Sequence, residues 1–292
     1  MEFNPKIMQQ HQARSVSIAA LISLVVFFAV GPALGGVVLE SQVGLGTADD
    51  FAVLAGETIT NTGPTTINGD VGLDPGTATP GFGSVTLNGD LHVDDVVAEQ
   101  AKADLVTAYN DAAGRGPATT VATELGGQTL TGGVYDSEST TFGITGTLTL
   151  DAQDDPDAVF IFQMGTTLIT ESASSVNLIR GAQACNVFWQ VGSSATLKTA
   201  STFRGTILAL TSITLETGAT IEGRALARNG SVTMDTNTIT RAVCIPEGGV
   251  DTGGGSTSGA HNMILLLGGI SLLAVAAGVF GVRRRLQHRR SG

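Results

Sequence analysis

The sequence predicts an all-β chain with one long helix, its strands wound into a solenoid. Rungs repeat between Ser193 and Arg241: ATLKTASTFRG, ITLETGATIEG and VTMDTNTITR follow one another, with Ala195 and Ile213 18 residues apart and Val232 19 further on. A repeat near twenty residues with threonine recurring in column marks a chain whose coils stack on one another. Composition agrees: 39 Gly, 5% aromatic and 14% charged residues favour strands and turns over a helical bundle. An apolar content of 42% is enough to bury a core.

The elements follow in order. Phe51 to Leu54 and Thr58 to Thr60 are short apolar or β-branched runs around Gly56, hence strands joined by a turn. Asn68-Gly69-Asp70 and, after the run Val85-Thr86-Leu87, Asn88-Gly89-Asp90 supply residues that suit tight corners, read as solenoid bends or hairpin turns. One helix is expected from about Val93 to Ala113. Asp94 and Asp95 suit its positive end, Gly114 closes it, and Val93, Val97, Ala101, Leu105, Ala108 and Ala112 form one apolar stripe. That stripe must be buried against the β-domain. Strands resume at Thr129-Leu130-Thr131 and at Thr147 to Asp151. Val159-Phe160-Ile161-Phe162 and Ile207 to Leu210 are apolar without alternation, as strands buried on both sides are.

The two ends read differently from the middle. Lys6 and Arg14, the apolar run Val16 to Val30, and Ala33-Leu34-Gly35 have the three-part form of an export signal over residues 1–35, with an uncleaved anchor as the second reading. The β-domain occupies 45–245, and a Gly/Ser/Thr-rich linker 246–262. Residues 263–282 are about 20 apolar positions, long enough as a helix to cross a bilayer core of roughly 30 Å. The Arg-rich tail 283–292 then places the β-domain outside the cell. The expectation is an exported domain held at the membrane by its C-terminal helix. Cell-wall attachment is the second reading, although Gly249-Val250-Asp251-Thr252-Gly253 keeps only the Thr-Gly of the usual sorting motif.

Charge and chemistry narrow the function. Between Leu45 and Ile245 there are 22 Asp and Glu against 8 Lys and Arg, a balance of −14, which excludes nucleic acid as a partner. Cys185 and Cys244 suggest one disulfide in an exported chain, closing a loop of about 58 residues; two buried free thiols are the alternative. The β-domain has a single histidine, His92, and no Gly-x-Ser-x-Gly, His-Glu-x-x-His or phosphate loop. Asp151, Asp154, Asp155 and Asp157 crowd around Pro156, where solvated turn residues are the ordinary reading and metal binding the lesser one; Asp70, Asp74 and Asp90 are read likewise. No catalytic residue, metal or cofactor is expected.

The threonines are the better signal. Thr199-Ala200-Ser201-Thr202 and Thr217-Gly218-Ala219-Thr220 share the form Thr-Ala/Gly-x-Thr at equivalent rungs. Ser172 to Ser175 is a serine version, Thr236-Asn237-Thr238 a shortened one, and Thr62-Gly63-Pro64-Thr65 an upstream copy. The candidate surface is therefore Thr199, Ser201, Thr202, Thr217, Thr220, Ser172, Ser175, Thr236, Thr238, Thr62 and Thr65. Threonine also forms strands for its own sake, which is the structural alternative. On a stacked sheet, outward threonines make a rigid grid with spacings of about 4.8 Å and roughly 6.7 Å. Such a grid suits a repeating solid, with ice first and a crystalline polysaccharide next. A non-catalytic adhesive or structural module binding polysaccharide or protein is the alternative function.

Three long strings, FAVLAGETITNTGPTTINGDVGLDPGTA, DAVFIFQMGTTL and ILALTSITLETGATIEGRALARNGSVTMDTNTIT, resemble the DUF3494-type ice-binding proteins. The resemblance covers roughly Leu45 to Cys244. It implies a right-handed, three-sided β-solenoid, discontinuous in sequence, with a helix packed alongside. It also implies a monomer that adsorbs to the ice crystal surface through Thr-Ala/Gly-x-Thr/Asn motifs, matched by Thr199 to Thr202 and Thr217 to Thr220. Ser172 to Ser175 matches loosely, and Lys198, Arg204, Glu216 and Glu222 flank the column, which together imply moderate affinity for ice.

Overall fold

A computed structural model describes residues 40–245. The segments expected as export signal, linker, membrane helix and basic tail lie outside the described residues. Among the described residues no helix is long and apolar enough to cross a membrane.

The chain forms a right-handed, three-sided parallel β-solenoid with one helix beside it. The first face carries Gly133–Ser137, Phe160–Met164 and Val187–Val191, and the second carries Thr147–Asp151 and Ser175–Ile179. Thr202–Ala209 and Thr220–Ala227 turn the edge between these two faces within one strand. The third face is a separate six-stranded sheet that includes Ala195–Leu197, Ile213–Leu215 and Val232–Asp235. The first and second faces meet where Gly205 and Gly223 have φ of +111° and +149°. A Cβ on Gly223 would sit 2.0 Å from the Gly205 carbonyl oxygen, so only glycine lets successive coils stack at this edge.

The repeat read from sequence is the register observed: Ala195 pairs with Ile213, and Ile213 with Val232. The stack continues on the N-terminal segment. Val53 pairs with Ala225, Ile59 with Val232, and Thr66 with Thr238, all parallel. The last strand in sequence, Thr238–Thr240, thus lies inside the stack, between Thr220–Ala227 and Thr65–Asn68. This is the discontinuity that the resemblance implies.

Inward side chains fill the solenoid. Phe162 stacks on Trp189 with ring centroids 4.1 Å apart, Tyr135 and Phe142 pack on Phe162, and Phe203 packs on Trp189. The buried Trp189 Nε1 donates to the Arg204 carbonyl, so the indole carries no unmet donor inside.

The helix, α1, runs Val96–Gly114, three residues later at its start than the pattern predicts. Val93 ends a strand instead, and Asp94 turns the chain at φ +52°. Asp95 is the N-cap and accepts from the backbone of Val97 and Ala98, while His92 bonds its other oxygen at 2.9 Å. The buried stripe is Ala98, Ala101, Lys102, Leu105, Ala108, Tyr109 and Ala112, whereas Val97 is exposed. It packs on outward residues of the first face, among them Leu54, Ile161, Phe188, Leu208 and Leu226. The strands expected to be buried on both sides are those beneath this helix. Where α1 ends, Gln163 donates to the Ala112 and Arg115 carbonyls and satisfies its last turn.

Cys185 and Cys244 are disulfide-bonded, with Cα atoms 5.4 Å apart. The acidic string is not a set of free turn carboxylates. Asp151 is largely buried and bonded to Arg180 through both oxygens, and Arg180 holds its carboxyl below the usual carboxylate range. Asp155 caps the backbone N–H of Asp157.

Candidate functional site

The first face is covered by α1; the second face carries a single uninterrupted ladder. Thr147, Ser175, Thr202, Thr220, Thr238, Thr66 and Thr86 follow one another in parallel register across seven coils. Each is followed by an apolar residue that points inward, such as Phe203, Ile221, Ile239 and Ile67, all buried. Alternation on the strand therefore fixes the hydroxyls outward. Six spacings of about 4.8 Å give a ladder of roughly 29 Å.

The four-residue motif is the corner that brings the chain from the third face onto this ladder. Its second residue is in the left-handed region at every copy: Ala173 at +58°, Ala200 at +58°, Gly218 at +74°, Thr236 at +56° and Gly63 at +71°. Small residues recur there because a Cβ is costly in that conformation. In the four copies ending at Ser175, Thr202, Thr220 and Thr238 the first and fourth residues face out, and the third is turned into the corner. Thr236-Asn237-Thr238 is thus a full copy led by Asp235, not a shortened one.

This geometry sorts the predicted residues. Thr202 and Thr238 are exposed, and their hydroxyls have no partner among the described residues; Thr220 is half-buried and reaches the Ser201 carbonyl at 3.4 Å. Ser175 shares a 2.9 Å hydrogen bond with Thr147. Ser172, Thr199, Thr217, Thr236 and Thr62 are exposed at the corner. Most of these corner hydroxyls are already engaged: Thr199 bonds Glu216, Thr217 and Thr236 both bond Asp235, and Thr62 bonds the Met234 carbonyl.

Two predicted residues leave the surface. Ser201 and Thr65 are each 1% exposed. Ser201 is the third residue of its corner and points inward. The Thr62 corner holds one residue more than the others, so Thr66 takes the outward place and Thr65 turns in, accepting from the Asn237 backbone. The motif pattern alone misses Thr147, Thr66 and Thr86. The strings Thr66-Ile67-Asn68, Thr86-Leu87-Asn88 and Thr147-Leu148-Thr149 carry the signal that finds them, threonine alternating with an apolar residue.

A second column beside the ladder is mixed. Thr149 is in register with Asn177, and Arg204, Glu222, Thr240, Asn68 and Asn88 are in register with one another. Arg204 and Glu222 pair at 2.9 Å and Lys198 pairs with Glu171 at 2.8 Å, while Glu216 accepts from Thr199. Asn88 donates to Asn68 and Asn68 to Thr240, which locks these two amides. No group of three or more His, Cys, Asp or Glu with metal-binding geometry occurs among the described residues.

The fold and the site define a β-solenoid that presents a rigid, weakly charged threonine sheet. A model of the Ice-binding-like family matches residues 53–240, and the chain belongs to that family. It is 52% identical over 200 residues to the ice-binding protein of Nostoc sp. (strain HG1), covering 68% of this chain and 74% of that one. It also resembles the crystal structure of an ice-binding protein from an Antarctic biological consortium, at 50% identity and TM-score 0.69, covering 70% of this chain and 93% of that one. The ice-binding protein of the Antarctic ascomycete Antarctomyces psychrotrophicus is similar at 42% identity and TM-score 0.67, over 70% of this chain and all of that one.

Proposed function

We propose that this protein adsorbs to ice through the threonine ladder of its second face, and so shapes ice, inhibits its recrystallisation or holds the cell to it. The seven-coil register from Thr147 to Thr86 is the observation that carries the reading. A solid repeats, and a receptor for it must repeat with little entropy left to lose. Parallel strands set the spacing, and threonine, stiff at χ1, holds its methyl and hydroxyl in place before contact. The relatives from Nostoc sp. (strain HG1) and the ascomycete Antarctomyces psychrotrophicus are named as ice-binding proteins. The apolar segment 263–282 and its Arg-rich flank support display of the β-domain at the cell surface.

The test is an ice-recrystallisation assay paired with observation of ice crystal shape. Thr202→Tyr with Thr220→Tyr places two rings on the ladder and should abolish both effects while leaving the thermal unfolding transition in place. Retained ice shaping by a folded double variant would assign adsorption to another surface.

A further inference from the structure

The outer side of the first face changes character where α1 runs out. One outward column of that face reads Leu226, Leu208, Gln190, Gln163 and Asp136 on successive coils. The two leucines are buried under the helix. The two glutamines lie beneath its last turns. Gln190 Nε2 donates to the Tyr109 hydroxyl at 2.8 Å, and Gln163 Nε2 donates to the Ala112 and Arg115 carbonyls at 2.7 and 2.9 Å. Asp136 comes one coil further on. Its carboxylate accepts no hydrogen bond from any described residue, and its Oδ1 is shut off from solvent.

Tyr109, Asp136, Gln163 and Gln190 line one depression of about 480 Å³, with Ser139 and Thr140 exposed beside them. That volume is within the range of small-molecule sites, roughly 300–1,000 Å³. Both glutamine amide nitrogens are spent inside the protein, so the two side chains offer the depression their Oε1 atoms. With the carboxylate they make a set of acceptors that needs donors. A half-buried carboxylate without a donor is costly, and a ligand hydroxyl that draws it toward the mouth supplies what it lacks. A metal ion fits this lining badly. Asp136 is its one acid, and the Arg228 guanidinium lies 4.7 Å from the centroid of the Tyr109 ring. A neutral sugar ring fits it well, because neighbouring hydroxyls can share the two oxygens of one carboxylate while others reach amide oxygens.

We infer that this depression is a saccharide-binding site, in which Asp136 takes two neighbouring ring hydroxyls and Gln163 and Gln190 accept from others. The site belongs to the helix-bearing face and shares no residue with the threonine ladder. Its occupation is therefore separable from adsorption to ice, and the inference does not rest on the proposed function of the ladder.

The experiment titrates the full chain with glucose, galactose and mannose, read by saturation-transfer NMR on the sugar and by the side-chain amide signals of Gln163 and Gln190. At least one sugar should give a saturable response that moves both amides. Asp136→Asn keeps the shape and removes the charge, and should weaken that binding by about tenfold, as loss of a charge-assisted hydrogen bond does. Gln190→Leu extends the leucine column of the neighbouring coils and should weaken it as well. Both variants should keep the wild-type thermal transition and the wild-type inhibition of ice recrystallisation. No saturable response to any of the three sugars would overturn the inference, and so would equal binding by wild type and both folded variants. Methylammonium chloride is the competing probe: a saturable shift of the two amides with it, and none with the sugars, would overturn the inference in favour of a cation site.

Discussion

Thr217 donates a 2.6 Å hydrogen bond to Asp235 on the next coil, and Thr236 donates to the other oxygen of the same carboxylate. The leading threonine of a motif copy is thus spent within the protein, although it is exposed. Thr202, at the end of the preceding copy, is free. The motif joins two residues with different work: the first braces the corner and the fourth supplies the ladder.

Thr217→Val should therefore leave ice-recrystallisation inhibition within about twofold of wild type, since a net hydrogen bond at an exposed corner contributes little. Its signature lies in titration. The Thr217 hydroxyl is the chief cause of the lowered Asp235 pKa, so the variant should titrate Asp235 closer to an ordinary carboxylate. The linkage has a fixed sign: a depressed folded pKa gives stability that is present above the unfolded value and is lost as pH falls through the folded one. NMR titration of the Asp235 carboxyl checks the shift, and a large fall in inhibition would place Thr217 in the ice contact.

The sequence showed the contiguous coils because Ala195, Ile213 and Val232 repeat within 40 residues. It could not show that Thr66 stacks on Thr238, since that register joins segments 172 residues apart and depends on chain closure. The inward turn of Ser201 and Thr65 was hidden for a related reason. A four-residue string reads the same whether its third member faces out or in, as at Ser201, and whether or not its corner holds an extra residue that turns the fourth member in, as at Thr65.

The corner conformation gives a stability prediction. Ala200 sits at φ +58°, where a β-branched side chain is strongly disfavoured, so Ala200→Val should cost about 1–2 kcal/mol. Gly218 has φ +74° and open space where a Cβ would point, so Gly218→Ala meets backbone strain alone and should cost about 1 kcal/mol. Ala200→Gly should fall within about 0.5 kcal/mol of wild type, strain relief offsetting chain entropy. Denaturant unfolding measures all three, and an Ala200→Val protein as stable as wild type would contradict the strain argument.

The disulfide should matter to the end of the solenoid. Gln183 binds the Ile245 backbone on both sides, and Cys185–Cys244 ties that exit to the segment before Val187. Closing a loop of 59 residues stabilises by about 4 kcal/mol in the chain-entropy model. Cys185→Ala with Cys244→Ala should lose up to about that amount in denaturant unfolding while keeping the ladder register, since those strands pair by their own backbone. A double variant with unchanged stability would show that the exit is held by its hydrogen bonds alone.

Lys102 carries the pH dependence with the least expected direction. It lies on the buried side of α1, with Nζ donating to the Ala227 and Arg228 carbonyls. Burial pushes its pKa down from 10.5 to about 8. Between about pH 8 and 10.5 the unfolded chain keeps this proton while the folded chain sheds it, so the unfolded state binds more protons and stability rises with pH. This is opposite to a lysine held by a carboxylate. Lys102→Met removes the titration and leaves two carbonyls without a donor, so it should be less stable than wild type above pH 9, by about 1–3 kcal/mol. Denaturant unfolding from pH 7 to 10 reads the difference between the two proteins, in which other titrating groups cancel. That difference should widen in favour of the wild type as pH rises, and a difference independent of pH would mean that Lys102 keeps an ordinary pKa in the fold.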